Sequence, residues 1–102
     1  MKRIIVLGST GSIGRSSLEV VRGNPHCFQI VGLSGNRNID LLKRQIQEFH
    51  PKYVTVGYWE AYQELKTLFP KIQFFCGEEG LEELASVEEY DILLTAVSGA
   101  VG

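Results

Sequence analysis

Three glycines at even spacing, Gly8, Gly11 and Gly14, punctuate the sequence Gly8-Ser9-Thr10-Gly11-Ser12-Ile13-Gly14 near the start of the chain. The run before them, Ile4-Ile5-Val6-Leu7, is apolar throughout and rich in β-branched residues, as expected of a strand buried on both faces. The stretch after them, from about Ser12 to Arg22, brings Ile13, Leu18 and Val21 to one side of a helix, and Gly23-Asn24-Pro25 stops it. A tight glycine turn between strand and helix is a phosphate cradle. Gly8 permits the turn, Gly11 lets the backbone approach a pyrophosphate, and Gly14 lets the helix pack closely on the strand. Amides at the helix start then face the phosphate with a favourable dipole, and Thr10 and Ser12 add hydroxyl donors. The plainer alternative, a glycine turn that merely packs, suits Gly32 and Gly57 better than a turn at this junction. A P-loop is excluded, because Gly14 is followed by Arg15-Ser16 and the residue five before it is Ser9.

Strand and helix patterns alternate along the rest of the chain. Phe28 to Leu33 predicts a second strand, and Asn38 can cap a helix carrying Ile39, Leu42, Ile46 and Phe49 before Pro51. Tyr53 to Val56 predicts a third strand. Ala61, Leu65, Leu68 and Phe69 mark a third helix closed by Pro70. Ile72 to Phe75 predicts a short strand, Leu81, Leu84 and Ala85 a brief helix, and Asp91 to Val97 a last buried strand. This alternation implies a single doubly wound (Rossmann-type) α/β domain over residues 1–102, with a mostly parallel sheet. In it the ends of strands one, two and five share the sheet edge where ligands sit. The tail from Ser98 to Gly102 reads as the opening of a further turn, so the expectation is a truncated, N-terminal fragment.

Composition narrows the partners. An apolar fraction of 44% and a charged fraction of 22% are globular values that exclude a disordered chain. A net charge of −2, with no basic stripe, argues against nucleic acid. The first apolar run is too short for a secretion signal or a membrane span, so the expected location is the cytoplasm. Cys27 and Cys76, lacking CxxC spacing, read as buried reduced thiols.

The loop after the second strand addresses which nucleotide. Enzymes using NAD carry an acid there for the ribose hydroxyls, yet no acidic residue occurs between Glu19 and Asp40. The loop instead offers Ser34, Gly35, Asn36, Arg37 and Asn38. A carboxylate would repel a 2′-phosphate, whereas Arg37 pairs with one, and the small polar side chains add hydrogen bonds. The reading is NADPH over NADH, the alternative being that Arg37 is a solvated loop residue and Asn38 only a cap.

Together these stretches resemble the 1-deoxy-D-xylulose 5-phosphate reductoisomerase family. The likeness is carried by Leu7 to Gly14, Asn36 to Ile39, Phe49 to Val54 and Ala96 to Gly102, and runs the length of the chain. The resemblance implies an enzyme that isomerises and reduces 1-deoxy-D-xylulose 5-phosphate to 2-C-methyl-D-erythritol 4-phosphate in isoprenoid biosynthesis. It implies NADPH, a divalent metal (Mg or Mn), a phosphorylated sugar substrate and a homodimeric parent. It places Thr10 to Ile13 on the pyrophosphate, Asn36 to Asn38 on the 2′-phosphate, and Ala96 and Gly99 near the nicotinamide half. It also puts the catalytic and metal-binding residues beyond Gly102, so none is assigned here and the fragment alone is expected to be inactive. This sequence departs from the family in having Asn36 where a glycine is common before the basic residue, and Ser98 and Val101 in the tail.

Two rival readings stay open at this stage: another NADP-dependent reductase with a GxxGxxG turn, or a non-catalytic nucleotide-sensing module. His26 and His50 lack a second ligand at metal spacing and read as surface or half-buried. The run Glu78, Glu79, Glu82, Glu83, Glu88 and Glu89 reads as a solvated face, and Tyr58, Trp59 and Tyr62 as packing at a helix start.

Overall fold

The computed structural model describes residues 1–35 and 38–95. Strands and helices alternate strictly: β1 (Lys2–Leu7), α1 (Ser12–Gly23), β2 (Phe28–Gly35), α2 (Ile39–Phe49), β3 (Tyr53–Val56), α3 (Trp59–Leu68), β4 (Gln73–Cys76), α4 (Gly77–Ser86) and β5 (Ile92–Thr95). The five strands form one parallel sheet in the order β4-β3-β2-β1-β5. The doubly wound α/β expectation holds.

That order follows from where the helices bury their apolar stripes. Leu18 and Val21 of α1, Leu42 and Ile46 of α2, and Ala61 and Leu65 of α3 meet Ile4, Val6, Ile30, Leu33, Val54, Val56 and Phe74 on one face of the sheet. The opposite face gathers Ile5, Val31 and Leu84 of α4, with Leu7, Tyr53, Phe75, Val87, Tyr90 and Leu93 around them. The chain therefore steps outward from β1 to β4 under three helices. It then crosses under α4 and returns to β5 on the far side of β1.

β1 and β2 are not in simple register. Ile4 pairs with Ile30 but Ile5 with Gly32, so Val31 has no partner on β1. Val31 and the Cβ direction of Gly32 both turn toward the α4 side, the latter ending 2.9 Å from Leu84 Cδ1. Two β2 residues thus oppose Ile5, which is the geometry of a β-bulge.

Several expectations need correction. Cys27 is exposed and Cys76 half-buried, not buried as a pair. Cys27 precedes β2, where its carbonyl accepts from Lys2 N at 2.8 Å while its side chain stays outside the core. Ile13 does not join Leu18 and Val21; it is 66% exposed, because the first turn of α1 overhangs the sheet edge. Leu68 is also exposed, leaving Phe69 to close α3 against the core. Tyr58 and Trp59 stand at the start of α3 but lie at the surface, where Trp59 stacks on Tyr62 at 5.0 Å between centroids. His26 and His50 are exposed, as expected, and His50 ends α2 in a left-handed conformation.

The N-terminal edge of the sheet is tied by charge. Arg3 N donates to Asp91 Oδ2 at 2.8 Å, and Asp91 N returns a bond to Arg3 O at 2.8 Å. Glu89 accepts from Tyr53 Oη at 2.7 Å and pairs with Lys52. These contacts hold the segment before β5 against β1 and β3. They leave the opposite, C-terminal edge to the turn.

Candidate nucleotide site

At that edge Leu7 pairs with Ser34 on one side and with Thr95 on the other, so the ends of β2, β1 and β5 stand abreast. The chain leaves β1 through Gly8, whose φ of 83° lies in the left-handed region that glycine enters without strain. Gly8 N donates to Ser34 Oγ at 2.7 Å and Ser34 O at 3.1 Å, and Ser9 N donates to Ser34 O at 2.8 Å. Gly11 N closes the turn onto Gly8 O at 3.1 Å.

Gly14 explains how the helix comes so close. A Cβ there would sit 2.2 Å from Gly8 O and 2.7 Å from Ser9 Cα, both backbone atoms that cannot swing aside. Only glycine lets α1 start directly on the turn.

The start of α1 is electrically unbalanced. Gly11, its N-cap, offers no side-chain acceptor, and the first turn holds no acid. By contrast α2 is capped by Asn38, whose Oδ1 accepts from Leu41 N at 3.1 Å, and carries Asp40 in its first turn. The first turns of α3 and α4 carry Glu60, and Glu78 with Glu79. Of the four described helices only α1 presents its first amides with neither a side-chain cap nor a carboxylate. Those amides and the helix dipole are what an anion completes. Gly11, Ser12 and Ile13 are all exposed there, with Thr10 half-buried beside them.

Other sequence-chosen residues fall differently. Ser34 is 4% exposed and its Oγ accepts from Gly8 N, so it shapes the turn from beneath. Gly35 is buried too, and a Cβ on it would lie 3.3 Å from Thr10 Cγ2, so β2 ends directly against the turn. Asn38 is exposed and acts as the α2 cap. Asn36, Arg37, Ala96 and Gly99 lie outside the described residues.

Sequence reading missed Ser9 and Gln45. Ser9 is fully buried, and its Oγ donates to Gln45 Oε1 at 2.7 Å, with Ser34 O 3.2 Å away. Gln45 Nε2 donates to Ser9 O at 2.8 Å. A signal was present: Gln45 is a polar residue inside the Leu42–Ile46–Phe49 stripe of α2. Among the described residues no group of three His, Cys, Asp or Glu side chains is placed to hold a metal ion. Nor is any described helix long and apolar enough to cross a membrane.

The family model for 1-deoxy-D-xylulose 5-phosphate reductoisomerase matches residues 4–102. The chain belongs to this family. A reductoisomerase of Listeria welshimeri serovar 6b is 48% identical over 102 residues, and one of Thermodesulfovibrio yellowstonii 42% identical over 102 residues. Each alignment takes in the whole chain but 27% of the relative, so the chain spans about a quarter of the curated relatives' length. A solved DOX-P reductoisomerase in complex with NADPH, fosmidomycin and magnesium matches 95% of this chain and 24% of its own, at 32% identity and a TM-score of 0.89. The Zymomonas mobilis reductoisomerase in complex with NADPH matches at 28% identity and a TM-score of 0.83, covering 94% of this chain and 26% of that one. Membership of the family sets aside the other reductases that share a GxxGxxG turn.

Proposed function

We propose that this chain binds NADPH as the nucleotide-binding part of an enzyme that isomerises and reduces 1-deoxy-D-xylulose 5-phosphate to 2-C-methyl-D-erythritol 4-phosphate. The observation that carries the reading is the start of α1: exposed, uncapped, free of acid, and set at the end of β1, where the strand order reverses between the β2 side and β5. That is where doubly wound sheets hold dinucleotides. Thr10, Gly11, Ser12 and Ile13 face the pyrophosphate, while Gly8 and Gly14 shape the cradle and Ser34 and Gly35 support it from below. Arg37, with Asn36 and Asn38, takes the 2′-phosphate, and Ala96 and Gly99 border the nicotinamide half. NADPH supplies the hydride when bound; this chain's part is to hold and orient it.

The chain spans 27% of its curated relatives, and on this reading the divalent metal, the phosphorylated sugar and the catalytic groups belong to the rest of the parent enzyme. On this reading the chain alone turns over no substrate. The parent works in the cytoplasm as a homodimer, with neither nucleic acid nor membrane as a partner.

Isothermal titration of the chain with each cofactor is the test. NADPH is expected to bind at least tenfold tighter than NADH, which corresponds to about 1.4 kcal/mol. Arg37→Ala is expected to remove most of that difference. Equal affinities would overturn the 2′-phosphate role of the second loop, and a folded chain that bound neither cofactor would overturn the cradle.

A further inference from the structure

We propose that Gln45 is a positioning residue for the cofactor turn, holding Ser9 from α2 so that the turn is shaped before ligand arrives. The inference rests on the NADPH reading above, and deepens it by naming what sets the cradle's geometry.

Gln45 lies on the buried face of α2, between Leu42 and Ile46, and is 4% exposed. A leucine or methionine would fill that space and extend the apolar stripe. The amide instead spends both of its polar ends on one distant residue. Its Nε2 donates to the Ser9 carbonyl and its Oε1 accepts from the Ser9 hydroxyl, at 2.8 and 2.7 Å. Ser9 is also fixed through its amide, which donates to Ser34 O at 2.8 Å. The residue just before the exposed part of the turn is therefore held at its N–H, its C=O and its side chain. No buried side-chain polar atom among the described residues is left without a partner, so this network is closed.

The carbonyl contact has a direct consequence for the ligand side. In a trans peptide the C=O and the following N–H point in opposite directions. Drawing Ser9 O inward to α2 therefore turns Thr10 N–H away from α2, toward the open edge. The same helix α2 begins at Ile39 and is capped by Asn38, the last residue of the loop assigned to the 2′-phosphate. Gln45 thus fixes the pyrophosphate turn to the element that carries the other anion-binding loop.

The test uses Gln45→Met, close to isosteric but unable to donate to Ser9 O. In Gln45→Met, NADPH and NADH are both expected to weaken at least tenfold, with their ratio unchanged. Adenosine 2′-monophosphate, which lacks the pyrophosphate, is expected to bind as to the unsubstituted chain. A residue that only filled the core would lower the melting temperature and leave the affinities of the folded chain alone, and that outcome overturns the proposal.

Amide exchange on the ligand-free chain gives a readout that does not need the cofactor reading. Gly8, Ser9 and Gly11 should exchange at least tenfold faster in Gln45→Met, with Val54 and Val56 unchanged. Retained protection of the turn sinks the proposal. A loosened turn in a chain that binds neither cofactor would leave Gln45's hold on the turn standing and remove the NADPH reading instead. Should Gln45→Met not fold, Gln45→Asn, one methylene too short to reach Ser9, carries the same comparisons.

Discussion

Adding one methyl group at Gly14 should break the cradle and leave most of the fold. A Cβ at that position falls 2.2 Å from Gly8 O, 2.7 Å from Ser9 Cα and 2.9 Å from Gly8 C. Carbon atoms settle roughly 3.5–4.0 Å apart, so α1 and the turn must separate by about 1 Å or more. No rotamer change relieves the clash, because every neighbour is backbone. Forced backbone shifts of this kind cost about 1–3 kcal/mol, and occasionally more. Alanine's better helix propensity returns about 1 kcal/mol. Taking the upper end of the cost, Gly14→Ala should lose about 2 kcal/mol, a fall of roughly 8–16 °C in Tm for a domain of this size. Gly23→Ala is the control. It lies in the same helix with nothing within 4 Å of its Cβ, so a gain of about 0.4–1 kcal/mol is expected. Urea unfolding followed by circular dichroism measures both, and titration with NADPH should show binding lost in the first variant alone. A Gly14→Ala chain as stable as the unsubstituted one, with an unchanged urea slope, would refute the close approach of α1 to the turn.

Asn38→Ala removes the Oδ1 acceptor for Leu41 N and should cost about 1 kcal/mol, whereas Asn38→Gly should cost only a few tenths; thermal melts of the two variants check the order. The contacts at the N-terminal edge predict an acid limb to stability. Arg3, first through its backbone N–H and then its side chain, holds the Asp91 carboxyl below its ordinary value, and Lys52 and Tyr53 do the same for Glu89. Carboxyls depressed in the folded state contribute stability above their unfolded pKa and lose it as pH falls through the folded one. Melting temperature should therefore drop below about pH 4, and Asp91→Asn should flatten that drop. An identical pH profile in the variant would show that the Asp91 contacts do not stabilise the fold.

Much of this architecture was legible in the residues. Continuous apolar runs such as Ile4 to Leu7 cannot face water on either side, which alone demands a sheet covered on both faces. Asn38 before Ile39, and Pro51 and Pro70 after their helices, gave the boundaries, because caps and prolines act locally. What escaped depends on contacts far apart in sequence. Helical spacing put Ile13 with Leu18 and Val21, but only the position of the sheet's end decides that the first turn of α1 overhangs it. The same holds for Cys27, whose burial is set by the connection it occupies. That Ser34 Oγ accepts from Gly8 N is likewise set by the pairing of β1 with β2, which no local pattern in the loop displays. Gln45 stands out as a polar residue in an apolar stripe, but Ser9 lies 36 residues away and nothing in the sequence names it as the partner.

The unpartnered Val31 works like an extra tooth on a gear. Strand side chains alternate, so Ile30 and Leu33, three apart, would ordinarily face opposite ways, yet both lie with α1, α2 and α3. The bulge advances the count by one and brings Leu33 onto Val6 and Ser34 onto Leu7. Were the bulge closed with Val31 kept, Val31 would face Ile5 and Leu33 would face Leu7, carrying Ser34 off Leu7 and away from Gly8, even though Val31 lies on the other face of the sheet. The shape of the turn is thus timed by a residue that never touches it.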